Sequence, residues 1–149
     1  MNILYLNHYA GSPRHGMEYR PYYLSREWVR AGHQVTLVAA GHSHVRATQP
    51  RQTDDAPITA PMTEAIDGIG YRWFPAPAYQ GNGLGRVKNI WAFLRQVWAA
   101  APTLVAELKP DVVIASSTYP MDIWVARRLA RLARAKLVDR LDEVFETFV

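Results

Sequence analysis

Three short apolar runs constrain this chain more than any other feature: "NILYL" at 2–6, "QVTLVAA" at 34–40 and "DVVIA" at 111–115. Each is nearly continuous in hydrophobic residues, which is how a strand reads when both its faces are covered, as in parallel sheets. Stretches with helical spacing lie between them. From Glu18 to Ala31 the residues Tyr19, Tyr22, Tyr23, Trp28 and Val29 recur near one face, and Gly32 supplies a stop. Val87 to Leu108 also has helical spacing, with Pro102 expected to kink it or to begin a second helix. Met121 to Arg134 predicts another helix and Lys136 to Leu141 a last strand. Ile69 to Phe74 alternates like a strand. Residues 41–63, with Pro50, Pro57 and Pro61, read as one long loop, and "PAPAYQGNGLGR" at 75–86 as a second loop.

This alternation predicts an α/β domain: a parallel sheet with helices on both faces. Its 149 residues make one domain, able to bury roughly two thirds of its unfolded surface. Ligands in such sheets bind beyond the C-terminal strand ends, where the strand order reverses. Three loops therefore matter: 7–18, 76–86 and 116–120.

Several chemistries drop out early. The chain has no cysteine, which removes thiolate nucleophiles, disulfides and Cys-based zinc sites, and fits a reducing compartment. "MNILYLNHYAG" lacks a basic start, and Asn7 and His8 interrupt its apolar run, so no secretory signal is expected. The largely apolar stretch from Val97 to Ala106 falls short of the ~20 residues of a spanning helix. A cytoplasmic protein is expected. The formal charge of +4 suits nucleic acid, a phosphate-bearing ligand or an anionic membrane, and alone selects none of them.

The loop "NHYAGSPRHGME" at 7–18 holds Gly11 and Gly16 with the five-residue offset of a phosphate loop. Met17 and Glu18 stand where Lys and Ser/Thr would have to be, so nucleoside triphosphate hydrolysis is rejected. The G-x-G-x-x-G spacing of a dinucleotide site is missing as well. Two readings stay open for the glycines. Either they let a ligand approach outward-pointing backbone N–H groups, or they relieve strain at a strand-to-helix turn. No His, Asp and Glu set has metal-ligand spacing, and no G-x-S-x-G elbow supports a serine nucleophile.

"HYAGSPRHGMEYRPYYLSREWVRAGHQVTLVAA", "EAIDGIGYRWFPAPAYQGNGLGRVKN" and "KPDVVIASSTYPMDIWVARRLARLARAKLV" together cover most of residues 1–138. They resemble the start of bacterial family 4 glycosyltransferases that build surface polysaccharides such as lipopolysaccharide, the fucosaminyltransferase-like group especially. The resemblance implies one Rossmann-like half of a GT-B architecture: the N-terminal, acceptor-side domain, facing a C-terminal donor-binding domain in cis or in trans. It implies transfer of a deoxy- or N-acetylamino-sugar from a nucleotide sugar to a lipid-linked acceptor, with no cofactor. It also implies a place at the inner leaflet of the plasma membrane. The tail "LVDRLDEVFETFV" departs from the family, with Asp142 and Glu143 where a His or Arg followed by Asp is usual. On this reading the donor-binding half is missing from the 149 residues, and the chain alone is an inactive half. The competing class is a non-catalytic module that holds a nucleotide, a glycan or a protein.

Substrate-binding candidates follow from the three loops: Gly11, His15, Gly16, Glu18, Tyr22, Gly83, Arg86, Ser117 and Tyr119. Catalytic residues stay unassigned. His8 and His15 would contact a sugar hydroxyl or donor phosphate, or simply be solvated. Glu18 would bind acceptor, or balance charge at a helix start. Arg20 and Tyr22 divide between pocket and packing. In "GNGLGR", a lid or a hinge-like loop, Arg86 and Lys88 would reach an acceptor pyrophosphate. Ser116, Ser117 and Tyr119 sit where they would cap the helix after "DVVIA". Backbone N–H groups and basic side chains would stabilise a departing diphosphate without a required metal. Replacing Gly11 or Gly16 by Val is expected to abolish activity and leave the fold intact. Arg127, Arg128, Arg131 and Arg134, with Arg86, Lys88, Arg95, Trp91 and Trp98, form either a solvated face or a membrane patch. No helix-turn-helix or RNA-binding pattern accompanies the charge, so nucleic acid is not expected.

Overall fold

The computed structural model describes residues 1–16, 19–53, 56–79 and 83–139. Five strands lie parallel: β1 (Asn2–Leu6), β2 (Gln34–Ala40), β6 (Ile69–Phe74), β7 (Val112–Ala115) and β8 (Lys136–Asp139). A sixth, β5 (Met62–Ile66), pairs antiparallel with β6, giving the order β5-β6-β2-β1-β7-β8. Two short strands, β3 (Arg51–Thr53) and β4 (Ala56–Pro57), form a separate ribbon. Among the described residues the helices are α1 (Tyr19–Arg30), α2 (Leu84–Leu108) and α3 (Asp122–Ala133).

Period-two alternation divides each central strand between two cores. Ile3, Tyr5, Val35 and Leu37 point to one face and pack with Tyr22, Trp28 and Val29 of α1. Leu4, Leu6, Val38 and Ala40 point to the other and meet Phe93 and Val97 of α2 and Val125 and Leu129 of α3. This is the expected Rossmann-like α/β layering, helices on both faces, consistent with one half of a GT-B architecture, except that the antiparallel edge strand β5 makes the sheet mixed and not wholly parallel. Fully burying each such side chain is worth about 1.5–3 kcal/mol before entropy is counted.

Three expectations need correction. Residues 41–63 are not one loop: they hold β3, β4 and the start of β5. Asp67 (φ 53°) and Gly68 (φ 79°) make a two-residue turn with both φ positive, which suits the right-handed twist of the β5–β6 hairpin. "GNGLGR" is not loop throughout, since Leu84, Gly85 and Arg86 form the first turn of α2. Pro102 does not divide α2, which runs unbroken from Leu84 to Leu108. Its ring must deprive the carbonyl four residues earlier, that of Trp98, of its helical partner. The Arg128 side chain of α3 supplies one: Nε donates to the Trp98 carbonyl at 3.1 Å.

Candidate functional site

Strand order reverses between β1 and β7, so the loops after these strands meet at their C-terminal ends. Asn7 fastens them: its amide donates to the Ser116 carbonyl and Oγ, both at 3.1 Å. The Ser117 hydroxyl accepts the His8 backbone N–H at 3.0 Å.

His8 is the centre of the arrangement. Its ring is wholly buried, with Nε2 at 2.6 Å from Asn89 Oδ1 and Nδ1 at 2.9 Å from the Tyr119 hydroxyl. The Asn89 amide nitrogen donates to the carbonyls of Pro77 and His42, at 2.9 and 3.3 Å, so its oxygen must accept. His8 therefore carries its proton on Nε2, and Tyr119 donates to Nδ1. Burial pushes the His8 imidazole down to about 3, the Asn89 bond opposes this, and the nearby Arg46 and Arg86 charges add to it. His8 is neutral at physiological pH and has no solvent contact.

Arg46 braces the same loops from below. Nε donates to the Ala10 carbonyl at 2.9 Å, and the two terminal nitrogens to Ala40 at 2.7 Å and His8 at 3.1 Å. Its guanidinium lies 4.9 Å from the centre of the Trp73 ring. Arg86, at the start of α2, donates to the hydroxyl of the buried Tyr9 at 3.1 Å. His44 bonds the Tyr79 hydroxyl beside it.

The predicted residues divide accordingly. Ser117, Tyr119 and Arg86 come together around His8 and Tyr9. His15 is buried elsewhere, against Trp73, with Nδ1 at 2.8 Å from Ser12 Oγ; burial drives it down to about 4. Neither His8 nor His15 is a solvated loop histidine. Tyr22 is packed in the α1 core, and its hydroxyl donates to Asp67. Gly11 accepts the Tyr71 hydroxyl at 2.9 Å. Gly83 precedes α2 in open space, where a Cβ would meet nothing within 4 Å. Glu18 lies outside the described residues.

Other expectations change. The serines do not cap α3: its N-cap is Met121, without a side-chain bond. The Ser117 N–H instead goes to the buried Asp122 carboxylate at 2.9 Å. Most of the described backbone N–H groups of the opening loop have partners inside the protein. Those of Asn7, His8, Tyr9, Ala10, Arg14, His15 and Gly16 are all bonded within the protein. Gly16 is the strain-relieving kind, with φ 85° and Ala47 Cβ only 2.8 Å from where its own Cβ would stand. Valine there would burden the fold itself, contrary to expectation.

Sequence reasoning missed Asn89, Arg46 and Tyr9. Asn89 offered a signal, a polar residue on the inward face of an apolar helix. Arg46, in the polar "GHSHVRATQP", offered none.

A mixed, largely parallel sheet with the loops of β1 and β7 locked at the strand-order reversal defines a Rossmann-like domain. Residues 15–141 match the family described as Glycosyl transferase 4-like domain, so the chain belongs to that family. No curated protein and no solved structure matches it.

Proposed function

We propose that this domain forms the acceptor-side wall of a glycosyltransferase that moves a deoxy- or N-acetylamino-sugar from a nucleotide sugar to a lipid-linked acceptor in surface polysaccharide synthesis. The observation that carries the reading is the locked junction of three segments, the β1 loop, the β7 loop and the start of α2, to which Arg86 is tied through the Tyr9 hydroxyl. A guanidinium held by a tyrosine hydroxyl is positioned to grip a diphosphate through paired N–H donors. His8, Asn89 and Tyr119 hold the wall still, so that an acceptor hydroxyl is presented in one orientation. No general base is assigned within this wall.

The test uses a two-domain enzyme carrying this chain as its first domain. Arg86→Ala should raise KM for the lipid-linked acceptor about tenfold or more, the worth of one charge-assisted contact, and leave KM for the donor nearly unchanged. Arg86→Lys should recover part of the loss. A donor KM that rises while the acceptor KM stays put would assign this wall to the other substrate.

A further inference from the structure

The outer side of the α2–α3 pair is concave. An open groove of about 750 Å³ runs between the helices, walled by Trp91, Trp98 and Trp124 and floored by Leu94 and Val125. The three indoles are about half exposed, at 48%, 47% and 53%. They are nevertheless held in place. Trp91 stacks on Trp124 across the helix pair, with ring centres 6.2 Å apart, and the Arg128 guanidinium lies 4.8 Å from the centre of the Trp98 ring. Both rims are basic. Lys88 and Arg95 edge the groove from α2, and a neighbouring hollow continues it along Arg127, Arg128 and Arg131 of α3. No acidic residue lines either one among the described residues.

We propose that this groove docks an amphipathic helix of a partner protein, its apolar side chains seated between the tryptophans and its acidic side chains on the two basic rims. Shape favours a helix. A third helix, about 10 Å across, lies naturally along the furrow between two packed ones. A flat surface laid on the same face would touch the ridges and leave the hollow unfilled, forfeiting the contacts of its walls. Charge favours an acidic helix. Lys88 and Arg95 are two turns apart, so they meet carboxylates that recur every seven residues on the partner. A second copy of this chain is a poor occupant, since a symmetric contact brings one basic face onto another. Indoles already fixed by their neighbours lose little freedom on binding, which is how tryptophans come to anchor interfaces. The proposal stands on this surface alone and does not rest on the transfer reaction.

Two synthetic helical peptides test it by calorimetry. Both carry leucine at i, i+3, i+4 and i+7; the remaining face is glutamate in one and lysine in the other. The glutamate peptide should bind at least about tenfold more tightly than the lysine peptide, and added salt should shrink that preference. Trp91→Ala with Trp124→Ala should weaken glutamate-peptide binding about tenfold or more while circular dichroism stays unchanged. Arg127→Glu with Arg131→Glu should do the same and narrow the preference between the peptides, whereas Arg26→Glu with Arg30→Glu, the same charge change on α1, should cost about twofold at most. No binding of either peptide, equal affinity for both, or equal losses from the two charge reversals would overturn the proposal. So would a dimer formed through this face, or phosphatidylglycerol vesicles that bind it where the glutamate peptide does not.

Discussion

At the scale of single residues, two buried histidines and one buried aspartate oppose each other across the acid range. His8 and His15 are held near 3 and 4, below the usual imidazole value of 6.5. The unfolded chain therefore binds their protons first, and their contribution to stability, present above about pH 6.5, is lost as pH falls. Asp122 runs the other way. Burial, opposed by bonds from Ser117, raises it to about 6, so the fold gains its proton before the unfolded chain does. That gain partly offsets the histidine loss between about pH 6 and 4. The thermal midpoint should thus fall on acidification from neutrality. Asp122→Asn, which keeps an acceptor for the Ser117 N–H, should make the fall steeper. A shallower fall in that variant would contradict the assignment.

Among the elements, α2 and α3 share a repair. Pro102 withdraws a donor from the Trp98 carbonyl and Arg128 provides one, while its guanidinium also covers the Trp98 ring at 4.8 Å. Arg128→Ala should cost about 1–2 kcal/mol by denaturant titration. In a Pro102→Ala background the helix supplies its own N–H, and the cost should fall to less than half. Equal costs in the two backgrounds would show that the bond carries nothing. The sequence made α2 legible in length and face, but this compensation lies between residues 26 apart and leaves no local trace. β1, β2 and β6 were legible because they are apolar or alternate cleanly. β5 hid because Thr63, Glu64 and Ala65 are polar or small and Pro61 precedes them, although "DG" at 67–68 was a hairpin signal in plain view. The site was half legible. Strand ends located Ser117, Tyr119 and Arg86, whereas the glycines drew attention to a loop in which the Gly16 amide is bonded to the Ser12 carbonyl.

For the molecule as a whole, the proposed function makes this Rossmann-like unit one wall of a two-walled cleft. The 149-residue chain should bind nucleotide sugars no better than about millimolar, ~−4 kcal/mol, in calorimetry. Micromolar binding by this chain alone would place the donor on the wrong wall.

The hydrogen bonds through His8 have a direction. Tyr119 donates to His8, His8 to Asn89, and Asn89 to the carbonyls of His42 and Pro77. Four connecting segments are thus strung together head to tail, and the string has a single polarity. Position 89 is therefore constrained by donor count and not by shape. Aspartate, nearly the same size, would set an oxygen against two carbonyl oxygens, and leucine would leave His8 with a proton and nowhere to give it. Of the twenty side chains only asparagine matches that place in both reach and sequence of donors and acceptors, so drift in this family should be slow there while the loops around it change freely.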